Sequence, residues 1–423
     1  MEKTPDNQPC RRENIRTIVD WILDGADGKS TRVGIEIEHQ VLKANGGERV
    51  TYSEENGIED LLKRMSENWP EQVYEGEHLM GLGRTLEGIR ETVTLEPGGQ
   101  VELSAGPFND MFTALEALSD FEDELKGYLE PVGQLAVQMG YAPVEKAADI
   151  ELIPKKRYEF MDKHFAEIGP YGTCMMRGTA STQISVDFAN RKEAIRKMRL
   201  AYCAAPIIAM MCDNTVMFEA ELREHYLIRT EIWNGVDQAR CGIIPGVLDD
   251  DWTLDKYAEW ILDTPAIVAI DEDGNKVHDE RTFGEIFADK PMTEADVEHA
   301  ISMVFPDVRL KQYIEFRTAD ALPAKYAAAL AALVKGCFYA DAALDALDEL
   351  FKGVTRKDVI LGKMALMSEG YEAQIYGKKA WQIAEQLNII AKLNLTKEER
   401  EVLEPLTTYA FSHVTLAEMT VFE

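Results

Sequence analysis

Apolar residues recur along this chain with two different periods, and the switching between them outlines its architecture. Ile15, Ile18, Val19 and Ile22 follow the helical period, so residues 11–24 are expected to form a helix that Gly25 closes. The same period predicts helices over 58–68, 109–140, 191–211, 254–263 and 280–303. From Pro323 onward the pattern is helical almost throughout: 324–352, 355–368, 379–393, 396–405 and 413–419, with a break near Gly353. Between the early helices, short segments alternate apolar and polar residues, the period of a strand. Strands separated by long helices are therefore expected through about residue 320. No tandem repeat and no Pro/Ser linker divides the chain. A single unit of 423 residues is expected, with an N-terminal helix in 1–30, a sheet-forming core over 31–323 and a helical region over 324–423.

The alternating segments share an unusual wet face. In VGIEIEHQVL, Val33, Ile35 and Ile37 oppose Glu36 and Glu38, which places both carboxylates on one side about 7 Å apart. In QVELS, Gln100, Glu102 and Ser104 share a face. In TQISVDF, Gln183, Ser185 and Asp187 do so. Read as a strand, LIRTEIW puts Arg229 beside Glu231. VRLKQYIEFRT puts Tyr313, Glu315 and Arg317 together. An antiparallel sheet with one solvated face is the plain explanation. Ordinary wet faces, however, carry Lys and Thr, whereas these carry Glu, Gln, Asp and Arg. Such a face suits a divalent metal held with a phosphorylated ligand: Mg²⁺ takes oxygen donors and bridges to phosphates, and arginine grips phosphate or carboxylate with two donors. Glu96-Pro97-Gly98-Gly99 precedes QVELS, and its two glycines permit a turn that aims Glu96 at the face of Glu102.

Composition narrows the alternatives. With 75 acidic and 45 basic residues the net charge is −30, which argues against a broad nucleic-acid or anionic-membrane surface. No apolar run is long enough to span a bilayer, and MEKTPDNQPC does not read as a secretory signal. The six cysteines form no CxxC pair and read as reduced, mostly buried thiols, so a cytoplasmic location is expected. GxxxxGK[ST], GxSxG and HExxH are absent. GLGRTLEG misses the dinucleotide spacing, DEDGNK reads as a hairpin turn, and SDFEDELKGYLE is a solvated acidic face.

The segments GIEIE (34–38), TLEPGGQVELS (94–104), MMRGTASTQISVDF (175–188), IRTEIW (228–233), DQARCGIIPGV (237–247) and FPDVRLKQYIEFRTADALP (305–323) occur in an order that resembles glutamate-cysteine ligases of the plant and proteobacterial type. The resemblance implies an α+β, glutamine synthetase-like fold. In it a curved antiparallel sheet forms a funnel, with ATP entering one end and amino acids the other. It implies ATP-dependent joining of the glutamate γ-carboxylate to the amine of cysteine through a γ-glutamyl phosphate. It further implies Mg²⁺ ligands at Glu36, Glu38, Glu96, Glu102 and Glu315, a substrate-carboxylate arginine at Arg229 and a phosphate-facing arginine at Arg317. Gln183 is implied to hold metal or nucleotide, and Arg240 to contact nucleotide. Plant-type members carry an arginine just before the position of Thr179, where this chain has Gly178. The expected partners are L-glutamate, L-cysteine and ATP, with no nucleic acid and no membrane, in a monomer or homodimer. Two other readings are a related carboxylate-amine ligase with another acceptor and a non-catalytic regulator that binds ATP or glutamate.

Overall fold

The computed structural model describes residues 9–28, 30–271 and 273–422. The expectation for the first eight residues lies outside them. Helix α1 (Arg11–Leu23) is followed by the long strand β1 (Val33–Lys43), whose alternation is as expected: Val33, Ile35 and Ile37 are buried in the core. Helix α2 (Ile58–Met65) leads into a three-strand meander, β2 (Glu71–Glu75), β3 (His78–Leu86) and β4 (Ile89–Leu95). Sequence periodicity did not reveal this meander. Its β3–β4 turn uses Glu87 and Gly88, both with positive φ, as a two-residue hairpin requires.

Strand β5 (Val101–Phe108) returns beside β1. Helix α3 (Met111–Leu129) is shorter than the 109–140 pattern suggests. Glu130–Val132 tightens into a 3₁₀ turn containing Pro131, Gly133 adopts φ 73, and β6 (Gln134–Val137) pairs with the far end of β1. Helix α4 (Lys156–Ile168) precedes the irregular turn 174–178 and β7 (Ser181–Val186). Helix α5 (Arg191–Met211) is almost wholly buried in its second half. The 280–303 pattern divides into a strand Lys276–Thr282, a short helix Phe283–Ile286 and a helix Glu294–Ser302. The strand pairs with Pro265–Ile270, and the turn expected at 271–276 includes position 272, which lies outside the described residues.

The principal sheet is antiparallel throughout. From one edge it runs Val308–Leu310, Ile314–Asp320, β7, β1, β5, β4, β3, β2, with β6 on the side of β1. VRLKQYIEFRT is thus two strands folded back on each other, not one. The dry face is covered by α3 and by the Ala-rich helix Ala324–Phe338, which lies against β1 and β7. Ala327, Ala328, Ala329, Ala331 and Ala332 are fully buried there. Small side chains let this helix approach the sheet closely, and helices Ala380–Asn394 and Lys397–Ser412 pack behind it. The expected break near Gly353 falls between helices Asp341–Leu350 and Arg356–Glu369. Five of the six cysteines are buried and all six are free thiols. Among the described residues no single helix is long and apolar enough to cross a membrane.

The wet side is anchored by a buried polar network. Arg49 Nη1 donates to Gln40 Oε1 at 2.7 Å, and Nη2 donates to the Gly98 carbonyl. Gln40 donates to the Gly178 carbonyl at 3.1 Å and Gln100 to the Thr179 carbonyl at 2.6 Å. Two loops, 96–100 and 174–179, are thereby tied together. Gly98 is the close point: a Cβ there would lie 2.4 Å from the Arg177 carbonyl oxygen. Gly98→Ala is expected to force these loops apart and to cost about 1–3 kcal/mol, read as a lower denaturant midpoint with an unchanged slope.

Candidate active site

A cavity of about 440 Å³ opens over the wet face. Its floor is built by alternation and register together. Glu36 and Glu38 project from β1 and Glu102 from β5, with Glu38 directly opposite Glu102 and Glu36 opposite Gln183 of β7. Glu96, on the glycine turn, lines the same cavity. Arg229 and Trp233 enter from the helix α6 (Ile228–Asn234), and Arg309 and Arg317 from the edge hairpin. Lys155, Arg157, Tyr158 and Met161 come from the start of α4, and Met175, Met176 and Thr179 from the irregular turn. A second cavity of about 250 Å³ lies further along the same face, walled by Arg32, Arg90, Thr92, Ser104, Ser185, Asp187 and Tyr313. Glu36 belongs to both.

The four cavity carboxylates are crowded, and burial acts strongly on three of them. Burial, and then Glu315, pushes the Glu36 carboxyl up to about 7; burial, and then Glu96, does the same to Glu38. Glu102 is raised well above the ordinary range by burial, then by Glu36 and Glu96. Hydrogen bonds oppose this only in part: Glu38 accepts from Ser181 N at 2.9 Å and Oγ at 2.6 Å, and Glu102 from Thr94 Oγ1 at 2.7 Å. Hard oxygen donors with a deficit of positive charge fit a divalent cation such as Mg²⁺. Among the described residues no three Asp, Glu, His or Cys side chains form a ready metal cage. Mg²⁺ does not demand one, since it is commonly held by one or two carboxylates with substrate phosphates and water.

Three expected positions differ from the pattern-based picture. Segment 228–234 is a helix, not a strand, because Ile228 and Ile232 satisfy helical spacing as well as alternation. Arg229 therefore does not face Glu231. Its Nε and Nη2 both donate to the Arg317 carbonyl at 3.3 Å, and its guanidinium lies 5.5 Å from the Trp233 ring centre. Glu231 instead accepts from Tyr171 and pairs with His225. Glu315, expected as a metal ligand, lies fully buried behind the cavity lining. Its carboxylate binds Arg309 Nε at 2.8 Å and Arg317 Nη1 at 3.0 Å, with Lys311 Nζ at 3.8 Å. Arg309 and Arg317 hold it ionised, well below the usual carboxylate range. Its place is to fix two arginines in the wall; Arg317 also donates to Gln183 Oε1. Arg240, expected to contact nucleotide, is fully buried and does not line the cavity. It pairs with Asp237 at 2.6 Å and donates to the Met303 carbonyl at 3.0 Å.

Arg309, Lys155, Arg157, Tyr158, Met175, Met176 and Trp233 were not singled out in the sequence. Arg309 was legible once the segment is folded as a hairpin, since it then faces Glu315. Arg177, one residue from Gly178, grips Asp162 at 2.6 and 2.8 Å and lies away from the cavity. A side chain at Gly178 would meet the Tyr141 ring at 2.4 Å, so that space is already filled.

The family model for glutamate-cysteine ligase family 2 (GCS2) matches residues 32–406. The chain belongs to that family. It is 29% identical over 354 residues to the chloroplastic glutamate–cysteine ligase of Arabidopsis thaliana, covering 81% of this chain and 66% of that one. It is 30% identical to that of Brassica juncea over the same shares. The Nicotiana tabacum protein of the same name is 27% identical across 97% of this chain and 79% of its own length. The chain thus spans about two thirds of the first of these relatives. Among solved structures, the complex between the prokaryotic ubiquitin-like protein Pup and its ligase PafA aligns with 90% of this chain and 65% of that one, at 11% identity and a TM-score of 0.38.

Two outcomes follow from the charge arrangement. Glu315→Gln leaves Arg309, Arg317 and Lys311 without their counter-charge, and unfolding should become easier by about 3–5 kcal/mol. A melting curve superimposable on the wild type would remove the anchoring role. The raised carboxyls act in the opposite sense. Between pH 4.5 and about 7 the folded chain retains protons that the unfolded chain has released, so stability of the cation-free protein should fall as pH rises through that window. Glu36→Gln should flatten that slope. Added Mg²⁺ should raise the melting temperature more at pH 7.5 than at pH 5.

Proposed function

We propose that this member of the GCS2 family is an ATP-dependent ligase that joins the γ-carboxylate of glutamate to the amine of cysteine, releasing ADP and phosphate. The observation that carries this reading is one cavity lined by Glu36, Glu38, Glu96 and Glu102 together with Arg229, Arg317 and Gln183. A carboxylate does not condense with an amine at neutral pH. Phosphorylation turns its oxygen into a leaving group: the γ-phosphoryl of ATP passes to a carboxylate oxygen, and the amine nitrogen then displaces phosphate at the carbonyl carbon. Such transfers ask a protein mainly for positioning and for neutralisation of charge.

The residues divide this work by location. Glu36 stands where the two cavities meet, which suits a phosphoryl group passing between a nucleotide on one side and an amino acid on the other. Glu36, Glu38, Glu96 and Glu102 would hold Mg²⁺, which when bound supplies positive charge to the phosphate oxygens. Arg317, braced by Glu315 and Gln183, offers donors to a phosphate. Arg229 is stacked near Trp233 and, among the described residues, hydrogen-bonds only to a backbone carbonyl, so its remaining donors suit a substrate carboxylate. Met175, Met176, Trp233 and Phe305 form the soft, apolar part of the lining, a fit for a small thiol side chain. A cytoplasmic location, and action as a monomer or homodimer, complete the proposal; the named relatives are chloroplastic.

The direct test offers purified protein ATP, Mg²⁺ and glutamate with each amino acid in turn and follows ADP. Release that depends on cysteine supports the reading. Release with another amine would move the chain to a sister ligase, and none with any acceptor would leave a binding protein. Arg229→Lys keeps the charge and loses the fork. The KM for one amino acid should rise about tenfold, the loss of one charge-assisted hydrogen bond, while that for ATP stays near its wild-type value.

A further inference from the structure

Besides Arg229, two cations of the larger cavity form no ion pair with a carboxylate among the described residues. Arg309 and Arg317 share Glu315, and Lys276 pairs with Glu75 at 2.8 Å. Lys155 and Arg157 pair with none. Lys155 Nζ lies 4.5 Å from the centre of the Tyr158 ring and 3.5 Å from its hydroxyl, which leaves most of its donor capacity unused. Arg157 donates to Ser302 Oγ at 3.1 Å and to the Ser302 carbonyl at 2.8 Å, both neutral acceptors. The two come from the first turn of α4 and line the same cavity.

Their surroundings make this arrangement expensive in an empty cavity. The charges acting on Lys155 include Arg157 and Lys276 as well as Glu96 and Glu102; those acting on Arg157 include Arg309 and Glu96. Like charges are thus gathered on a largely desolvated wall, although the chain as a whole carries −30. Burial of a cation without a partner is unfavourable unless an anion arrives. Glu96 acts on both cations from nearby, but among the described residues no carboxylate forms an ion pair with either.

We propose that Lys155 and Arg157 form an oxyanion clamp that receives the phosphoryl or carboxylate group of a bound substrate. This rests on the ligase reading and adds two binding residues to it. Charge favours the phosphoryl group: its two negative charges match two cations, whereas a single carboxylate is already served by Arg229. The flat fork of Arg157 and the point charge of Lys155 give complementary donors to such a group.

The test uses the full chain, with inorganic phosphate and L-glutamate as separate calorimetric probes. Lys155→Met keeps the stem over Tyr158 and removes the charge. It should weaken one of the two anions at least about tenfold and leave the other within about twofold. Loss of phosphate affinity identifies the phosphoryl source, and loss of glutamate affinity the carboxylate source. Without ligand, the melting temperature of Lys155→Met should hold or rise, because a repelling buried cation is gone. Arg157→Lys should retain more affinity than Arg157→Met. Unchanged affinity for both anions overturns the clamp. So does a lower unliganded melting temperature with anion affinity intact, which would make Lys155 structural. Wild-type protein that binds neither anion overturns it as well. A chain that binds phosphate through Lys155 yet releases no ADP with any acceptor would keep the clamp and remove the ligase reading.

Discussion

Like charge held out of water on one face of a sheet is the constraint around which this molecule is arranged. Glu36, Glu38 and Glu102 cannot leave the wet face, because β1 and β5 are pinned by what lies on their other side. A one-residue slip of β1 would put Ile35 and Ile37 into the cavity and both glutamates into the core. The apolar half of each strand therefore secures the position of its charged half. The Ala-rich helix makes that seal tight by lying close to the dry face. Stability of the core thus maintains an electrostatic strain that the core does not relieve.

The protein relieves that strain only in part, with Arg309, Arg317 and Lys311 acting on Glu36 and Arg229 on Glu38. Glu315 is ionised because it sits between Arg309 and Arg317, and in return it fixes their guanidinium groups at the cavity lining. This is a salt bridge whose worth lies in placement, since buried pairs contribute little net stability. The turn carrying Glu96 is held from behind by Arg49, whose donors reach Gly98 and Gln40. Side chains that never touch the cavity therefore govern those that do.

The sequence was legible where period two met strong burial. β1, β5 and β7 could be read from it, and so could the grouping of Glu36, Glu38, Glu102 and Gln183, because alternation alone decides which side a strand residue faces. Glu96 was legible through its glycines. The β2–β4 meander was not, because β2 is an exposed edge with no buried stripe to betray it, and β3 begins in a glycine-rich stretch. Segment 228–234 misled because Ile228 and Ile232 fit either period, and over seven residues nothing else arbitrates. Glu315 was placed on the correct strand face and beside Arg317, but without its second arginine. Its partner Arg309 is six residues away along the chain and directly opposite only after a hairpin forms.

That last case marks a general boundary. Period assigns a face within one segment; partners across a turn depend on where the chain reverses, and KQY at 311–313 carries no glycine or proline to announce it. Arg240 is a different case, buried and outside the cavity lining. A buried arginine and a ligand-binding arginine have the same sequence signature, and only the location of a counter-ion tells them apart. Asp237, three residues before Arg240, closes that guanidinium off. Arg229 forms no ion pair among the described residues and opens into the cavity. Which cations the protein leaves uncompensated, rather than which it contains, separates the arginines that serve the fold from those available to a ligand.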